Sequence, residues 1–533
     1  MRIVFSGAAH EVTGSCHYLQ TGETHLLIDC GMEQGFNIYE NVEPPVPWSQ
    51  IDYVLLTHAH IDHAGMLPYI YARGFSGSVM ATNATCDLCN IMLKDSAHIQ
   101  EMEAEWKNRK SRRAGGEEVK PLYEMNDALG VLEHFVPNNY GDIVKLNDDV
   151  TIRFTDIGHL LGSASIEIWL KEDGIEKKIV FSGDIGNKNK PLICDPSYTM
   201  AADYAVMEST YGNRLHQKGT DHITELVRIV QETLDRGGNV VIPAFAVGRT
   251  QELLYYFRHI KTQRLIRGHE NFEVYVDSPL AVEATHVFKQ NQLECYDEET
   301  QDLVRMGINP ISFPGLKLSI SSEESKNINF DPSPKVIISA SGMCDAGRIR
   351  HHLKHNLWRR ECTVIFAGYQ AEGTLGRSLV DGNHTVKLFG ETIEVEAHIE
   401  TLHDISGHAD RDGLLEWVEN FQKKPDQLFI VHGSDEVCDQ FAELVTERTG
   451  IPAKAPFSGA EYDLIAGQWI KETVGVPIVS KSAATRKAKG IFARLLAAGE
   501  RLLAVIAHNE GGTNKDLAKF ADQINALCDK WDR

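Results

Sequence analysis

Leu55 to Leu67 reads LLTHAHIDHAGML, which places His58, His60, Asp62 and His63 within six positions. Imidazole nitrogens and a carboxylate suit Zn²⁺ or a similar borderline ion, with the harder Mn²⁺ as an alternative. In a tight turn, side chains one or two positions apart converge on one centre. Four donors are enough to be shared between two ions. A histidine-rich surface turn without metal is the plain alternative. It suits a lone H-x-H better than a set of four donors directly behind a buried apolar run.

The element that must present this turn is Ile51 to Leu56, IDYVLL, whose short run of β-branched and aromatic residues predicts a buried strand. The same layout recurs in THLLIDCG, VTIRFTDIGH, KKIVFSGDIG and DYAVMEST, each an apolar run closed by a residue able to do chemistry. From Thr220 onward strand and helix patterns alternate, through ITELVRIVQETLDRGG, NVVIPAFAVGR, TQELLYYFRHI, FEVYVDSP, KVIISASGM and CTVIFAGY. That alternation predicts a parallel sheet flanked by helices, inserted as a separate α/β domain over residues 211–399. DQLFIVHG then returns to the strand-then-histidine style, so the first domain is expected in two parts, 1–210 and 400–475. Residues 476–533 predict a helical extension, two helices joined at GGTN with Thr513 or Asn514 as N-cap. The charged segment from His98 to Phe135 predicts a solvated helix and loop.

Composition bounds the function. At 533 residues the chain is expected to hold roughly three units at about 150 residues each. A formal net charge of −22 argues against coating nucleic acid through a broad basic face, though not against gripping a polyanion locally. No apolar stretch approaches the roughly 20 residues that span a bilayer. The opening MRIVFSGAAHEVTGSC has no signal-peptide layout, so the expectation is no membrane and a cytoplasmic location. Of the ten cysteines only Cys86 and Cys89 form a C-x-x-C, within a helical pattern and without a partner pair, and they are expected to be two helix-face thiols.

H-x-H-x-D-H followed by glycine resembles the signature of the metallo-β-lactamase superfamily. Asp29 in LLIDCG, His159 in DIGHLLGSASIEI and Asp184 in IVFSGDIG occur in the order that resemblance implies, each at a predicted strand end. Carried over by motif, His58, His60 and His159 hold one ion, Asp62 and His63 the other, Asp184 bridges the two, and Asp29 orients the histidine cluster from behind. The second ion is then one donor short, which His432 in LFIVHGSDE can supply. Glu208 in VMESTYGN, His408 in DISGHADRDG and His432 further resemble the three motifs of the β-CASP nucleases, as do PAFAVGRTQELL, ISASGMCDAGRIRHHLKHNL and AGYQAEGTLGR. The resemblance covers roughly residues 1–470 and is nearest to prokaryotic members related to the pre-mRNA 3′-end-processing endonuclease. It departs at Ser434, where a glutamate is usual, and at Ile405 to His408, which reads I-S-G-H rather than F-S-x-H. Neither change removes a donor.

The resemblance implies an αββα sandwich split by an inserted β-CASP α/β domain, two Zn²⁺ per chain (or Mn²⁺), and hydrolysis of phosphodiester bonds in single-stranded RNA. Two cations bridged by Asp184 would bring a shared water to hydroxide near neutral pH. His408, oriented by Glu208, would protonate the leaving ribose oxygen. For phosphate positioning, Ser339, Ser341 and Gly342 behind the strand of VIISASGM are candidates for an anion nest, and Arg249 for the same cleft. A tight turn at Gly342 and a helix-start ion pair at Arg249 are the structural alternatives. His351, His352 and His355 are expected on a polar helix face, and His10 and His17 carry no assignment. A DNA nuclease, another hydrolase of the same fold and a silent scaffold are the competing classes. The retained donors argue against the scaffold, and nothing in the residues separates RNA from DNA, endonuclease from exonuclease, or monomer from homodimer.

Overall fold

The computed structural model describes residues 1–35, 37–112, 118–216, 221–402 and 405–478. Towards the end it describes 499, 502–503, 505–507, 509 and 514–531. The helix Asn514–Trp531 lies in the last of these; Thr513 and most of the preceding expected helix fall outside the described residues. By contacts the chain forms two units, residues 1–98 with 123–476, and residues 99–122 with 477–533. Among the described residues no helix is long and apolar enough to cross a membrane.

Within the first unit, the short apolar runs become strands because each alternates toward a shared interior. An eight-stranded sheet has the order Gln468–Lys471, Glu461–Asp463, Arg2–Phe5, His17–Thr21, Thr24–Ile28, Tyr53–Leu55, Ser78–Thr82, Phe135–Asn138. A seven-stranded sheet has the order Ala453–Lys454, Gln427–Val431, Tyr204–Glu208, Ile175–Phe181, Ala164–Glu172, Val150–Asp156, Val144–Lys145. Leu19, Leu26, Ile28 and Leu55 of the first meet Ile152, Phe154, Ile166 and Phe429 of the second in one buried core. Helices close the outer faces. Leu88 and Leu93 of Asn83–Arg112 pack with Val54 and Val79, while Trp417 and Phe441 pack with Ala205 and Ile430. This is the αββα sandwich that the family resemblance implied. Both sheets draw strands from either side of a long insertion.

The insertion carries a six-stranded sheet, Leu316–Ser319, Glu273–Asp277, Lys335–Ser339, Val240–Pro243, Thr363–Phe366, His398–Thr401, in which every pair is parallel. Its central strands are continuous apolar runs because both faces are covered by helices. One of these, Ile349–Asn356, corrects the expectation for His352. Rather than lying on a polar face, His352 is fully buried, with Nε2 2.7 Å from Asp277 Oδ2 and Nδ1 2.9 Å from Asn329 Oδ1. A carboxylate at a buried strand end needs such a partner, since leaving it unpaired is costly. Arg348 Nη1 completes the set at 2.7 Å from Asp277 Oδ1. Cys86 and Cys89 lie on the helix Asn83–Arg112 as free thiols.

What positions the histidine turn is a backbone contact of unusual closeness. Residues 29–32 run beside it, with Cys30 N donating to His63 O at 2.7 Å, Met32 N to Ile61 O at 2.9 Å, and Ser15 N to Asp62 O at 2.8 Å. Gly31 lies against Asp62 so tightly that a Cβ would stand 1.7 Å from the Asp62 carbonyl oxygen. Only glycine fits. Gly31→Ala must push the turn away, and we expect destabilisation of about 1–3 kcal/mol, read as a lowered melting midpoint. An unchanged midpoint would show that the turn yields freely.

Candidate metal centre

Six chemistry-bearing residues sit at or just beyond the carboxyl ends of strands, and sheet direction brings those ends together. Ile175–Phe181, Tyr204–Glu208 and Gln427–Val431 are parallel neighbours, so Asp184, Glu208 and His432 emerge side by side. Thr24–Ile28 and Tyr53–Leu55 are likewise parallel in the facing sheet, delivering Asp29 and His58. His159 follows Val150–Asp156. Asp29 and His432 adopt left-handed backbone conformations, φ 61° and 52°, at a cost of about 1–2 kcal/mol each that the surrounding contacts must offset. His432 N donating to Ala8 O at 2.7 Å is one of those contacts.

Two donor groups result. In the first, His60 Nδ1 lies 3.0 Å from His58 Nε2 and 3.3 Å from His159 Nε2, and both of those nitrogens are 3.5 Å from Asp184 Oδ2. In the second, His63 Nε2 is 3.1 Å from His432 Nε2, which is 3.8 Å from Asp62 Oδ2, while His63 Nε2 is 3.3 Å from Asp184 Oδ1. Ligands held at about 2.0–2.1 Å around a tetrahedral ion stand about 3.3 Å apart, so these spacings suit a common cation. Asp184 turns one oxygen to each group. Its Oδ1 is buried without a hydrogen-bond partner, the kind of orphan that a cation satisfies.

The electrostatics agree. Burial, reinforced by neighbouring imidazoles, holds His58 and His159 well below the usual histidine pKa, so each keeps a lone pair for an ion. Burial works against ionising Asp62, yet the nearby imidazoles of His432, His63 and His60 outweigh it and hold the carboxyl down to about 2. Asp184 is likewise held well below the carboxylate range against its burial, chiefly by His432 and His63. Around His63 burial is outweighed in the opposite sense, and Asp184 and Asp29 raise its proton affinity. The same negative field attracts a cation.

Behind the donors, Asp29 Oδ2 takes His63 Nδ1 at 2.7 Å and its Oδ1 accepts from Thr57 N at 2.8 Å, leaving His63 Nε2 for the centre. His159 Nδ1 pairs with Gly407 O at 3.2 Å, and His432 Nδ1 with Thr210 Oγ1 at 3.1 Å. Sequence reading overlooked Thr57, Thr210, Ser15 and Lys190. Ser15 Oγ donates to Asp29 Oδ2 at 3.1 Å and Lys190 Nζ to His159 O at 2.8 Å. Thr57 and Thr210 flank motif residues and could have been flagged by position. Nothing in the pattern marks Ser15 or Lys190.

Glu208 and His408 meet on the rim. His408 Nδ1 lies 3.1 and 3.2 Å from the two Glu208 oxygens and 3.9 Å from Asp184 Oδ2. Glu208 Oε1 also accepts from Ile185 N at 2.5 Å, which fixes the carboxylate. The loop bearing His408 is pinned to the segment after Asp184, Ala409 N donating to Ile185 O at 2.8 Å and Asn187 N to Gly407 O at 3.1 Å. Burial depresses the His408 pKa, but Glu208 and then Asp184 outweigh it and raise it to about 9.

The remaining candidates separate. Ser339 is corrected: its hydroxyl is buried and donates to Asp277 O at 2.8 Å, so it serves the sheet. Arg249 is corrected too, its guanidinium spent on Glu252 and on Ile405 O at 2.7 Å. Ser341 remains partly accessible, its Oγ shared with the backbone of Ala346, whereas Gly342 is buried against Phe245, which corrects it as a phosphate contact. His10 pairs with Asp435 at 2.8 Å and stacks on Phe457, whereas His17 is buried beneath the centre and lowered to about 3 chiefly by burial.

Residues 11–210 match the description "Metallo-beta-lactamase superfamily", residues 250–379 "Beta-Casp domain", and residues 392–456 "Zn-dependent metallo-hydrolase RNA specificity domain". Ribonuclease TTHA0252 of Thermus thermophilus is 37% identical over 449 residues, covering 84% of this chain and 96% of that protein. Transcription termination factor FttA of Methanocaldococcus jannaschii is 31% identical over 459 residues, covering 84% and 69%. FttA of Methanosarcina mazei is 31% identical over 475 residues, covering 85% and 70%.

If Asp29 orients His63 as its hydrogen bond indicates, Asp29→Asn lowers affinity for a divalent cation about 10- to 100-fold in chelator competition. Affinity equal to that of the parent chain would remove Asp29 from the centre.

Proposed function

The chain belongs to the β-CASP group of the metallo-β-lactamase superfamily, and from that membership we propose that it is a metal-dependent ribonuclease hydrolysing phosphodiester bonds of single-stranded RNA. The observation that carries this reading is the junction of two donor groups at Asp184 with the Glu208–His408 pair on their rim. The relative named as a ribonuclease, alignable over nearly its whole length, supports RNA as the substrate.

His58, His60 and His159 with Asp184 Oδ2 would hold one cation. Asp62, His63 and His432 with Asp184 Oδ1 would hold the second, and zinc suits this nitrogen-rich donor mixture. Such a pair, when bound, supplies Lewis acidity that lowers the pKa of water and neutralises charge on phosphate oxygens. The other steps fall to side chains. Glu208 fixes Nδ1 of His408 and favours its protonated form, leaving Nε2 to deliver a proton to the departing ribose 3′-oxygen. The raised affinity of His408 for a proton suits an acid at neutral pH, and a side chain that is 22% exposed allows substrate to reach it. Ser341, half-buried on the loop after Lys335–Ser339, would offer a hydroxyl to phosphate.

The reading is tested by incubating the purified chain with labelled RNA and DNA, with and without chelator. RNA is expected to be cut only while metal is present, and His63→Ala to abolish cleavage and to lower bound metal from about two ions per chain to one or fewer. His408→Ala should lower kcat by about 10²- to 10⁴-fold with metal content unchanged. RNA left intact in every condition, or DNA cut in its place, overturns the assignment.

A further inference from the structure

Outward from His408 runs a tract of exposed rings that the chemistry above does not use. Tyr211 touches His408 edge-on, with centroids 5.9 Å apart. Over the Tyr211 ring, at 4.2 Å, lies the guanidinium carbon of Arg214, which is also 5.6 Å from the ring of Tyr369. Arg214 is exposed, and no carboxylate among the described residues pairs with it. Tyr369 is 51% exposed, and so is Phe245.

A side-chain amide ties the loop of Tyr369 to the loop that packs against Phe245. The buried Gln370 amide donates to Gly342 O and to Tyr369 O, both at 3.1 Å, joining the loop after Lys335–Ser339 to the loop after Thr363–Phe366. Gly342 lies beneath Phe245, close enough that a Cβ would stand 3.1 Å from the ring. The tract therefore passes from Phe245 over Gly342 to Tyr369, Arg214, Tyr211 and His408. Loops joined in this way keep the two exposed rings near one another, where flat partners can reach both.

Resting on the ribonuclease reading, we propose that Phe245, Tyr369 and Arg214 form a subsite that stacks the unpaired bases of an RNA strand beside the scissile phosphate. Every base has a π-face, so stacking on rings is tolerant of sequence yet demands a strand whose bases are free. Arg214 adds a planar cation that can lie against a base or pair with the backbone phosphate, a favourable use of a guanidinium already seated on a tyrosine. In a chain of net charge −22, such a local grip replaces a broad basic surface. Phe245 and Tyr369 are thereby specificity residues, and Arg214 positions the strand.

The test uses the full chain with an unstructured RNA oligomer carrying 2-aminopurine. Equilibrium binding is measured in a His408→Ala background and steady-state cleavage in the otherwise unaltered enzyme. Phe245→Ala and Tyr369→Ala should each weaken binding and raise KM about tenfold, with kcat little changed and the stacking-dependent quenching of 2-aminopurine reduced. Phe245→Tyr and Tyr369→Phe, which keep a ring, should restore both. Alanine variants that bind within twofold of the parent while the parent cleaves RNA overturn the subsite alone, as does equal loss in the ring-keeping variants. Failure of the unaltered chain to bind or cut RNA overturns the ribonuclease reading, and this subsite with it.

Discussion

One buried carboxylate surrounded by imidazoles governs the structure of the site. Asp184 lies 3.3 to 3.9 Å from nitrogens of His58, His63, His159, His408 and His432 while only 2% exposed. An isolated charge at that depth would cost far more than a domain can bear, so the imidazoles, or a cation they help to hold, are a condition of the fold as well as of the chemistry. Each of the five comes from a different stretch of chain or from the far side of the histidine turn. The carboxylate therefore reports whether both sheets have docked.

Docking is achieved by ordinary means. The interior between the sheets is apolar, and it sets the strand ends at a common edge where polar side chains escape burial among hydrocarbon. At that edge the backbone accepts local cost: left-handed conformations at Asp29 and His432, and glycine at position 31 where any side chain would strike Asp62. Small hydroxyls then finish the work, with Ser15 and Thr57 on Asp29 and Thr210 on His432, so that the imidazoles they support point their other nitrogen inward.

The insertion contributes on two levels. Its return to the sandwich carries His408 onto Glu208, and its loops carry the ring tract that begins at Phe245. Meanwhile its own strand end at Asp277 is closed off by His352, Arg348 and Ser325, a polar cluster buried apart from the outer part of Arg348, which marks it as internal support for the loops above. His352 shows why helix periodicity alone misplaces such a residue. It shares the buried face of Ile349–Asn356 with Ile349, Leu353 and Asn356, and the partner that justifies its burial lies 75 positions earlier.

By itself the sequence determined the strand-end placement of the donors, because a strand and the turn that follows it are local and their residue types are read directly. It also determined, through the resemblance of its motifs, which distant residues to look for. Tertiary structure decided the pairings: His63 with His432 across 369 positions, Glu208 with His408 across 200, and Ser339 and Arg249 turned inward rather than toward a phosphate. Whether a hydroxyl or a guanidinium is free depends on which backbone groups surround it after folding. No spacing along the chain encodes that, since the contacts that satisfy a polar group come from whichever elements the core happens to bring near.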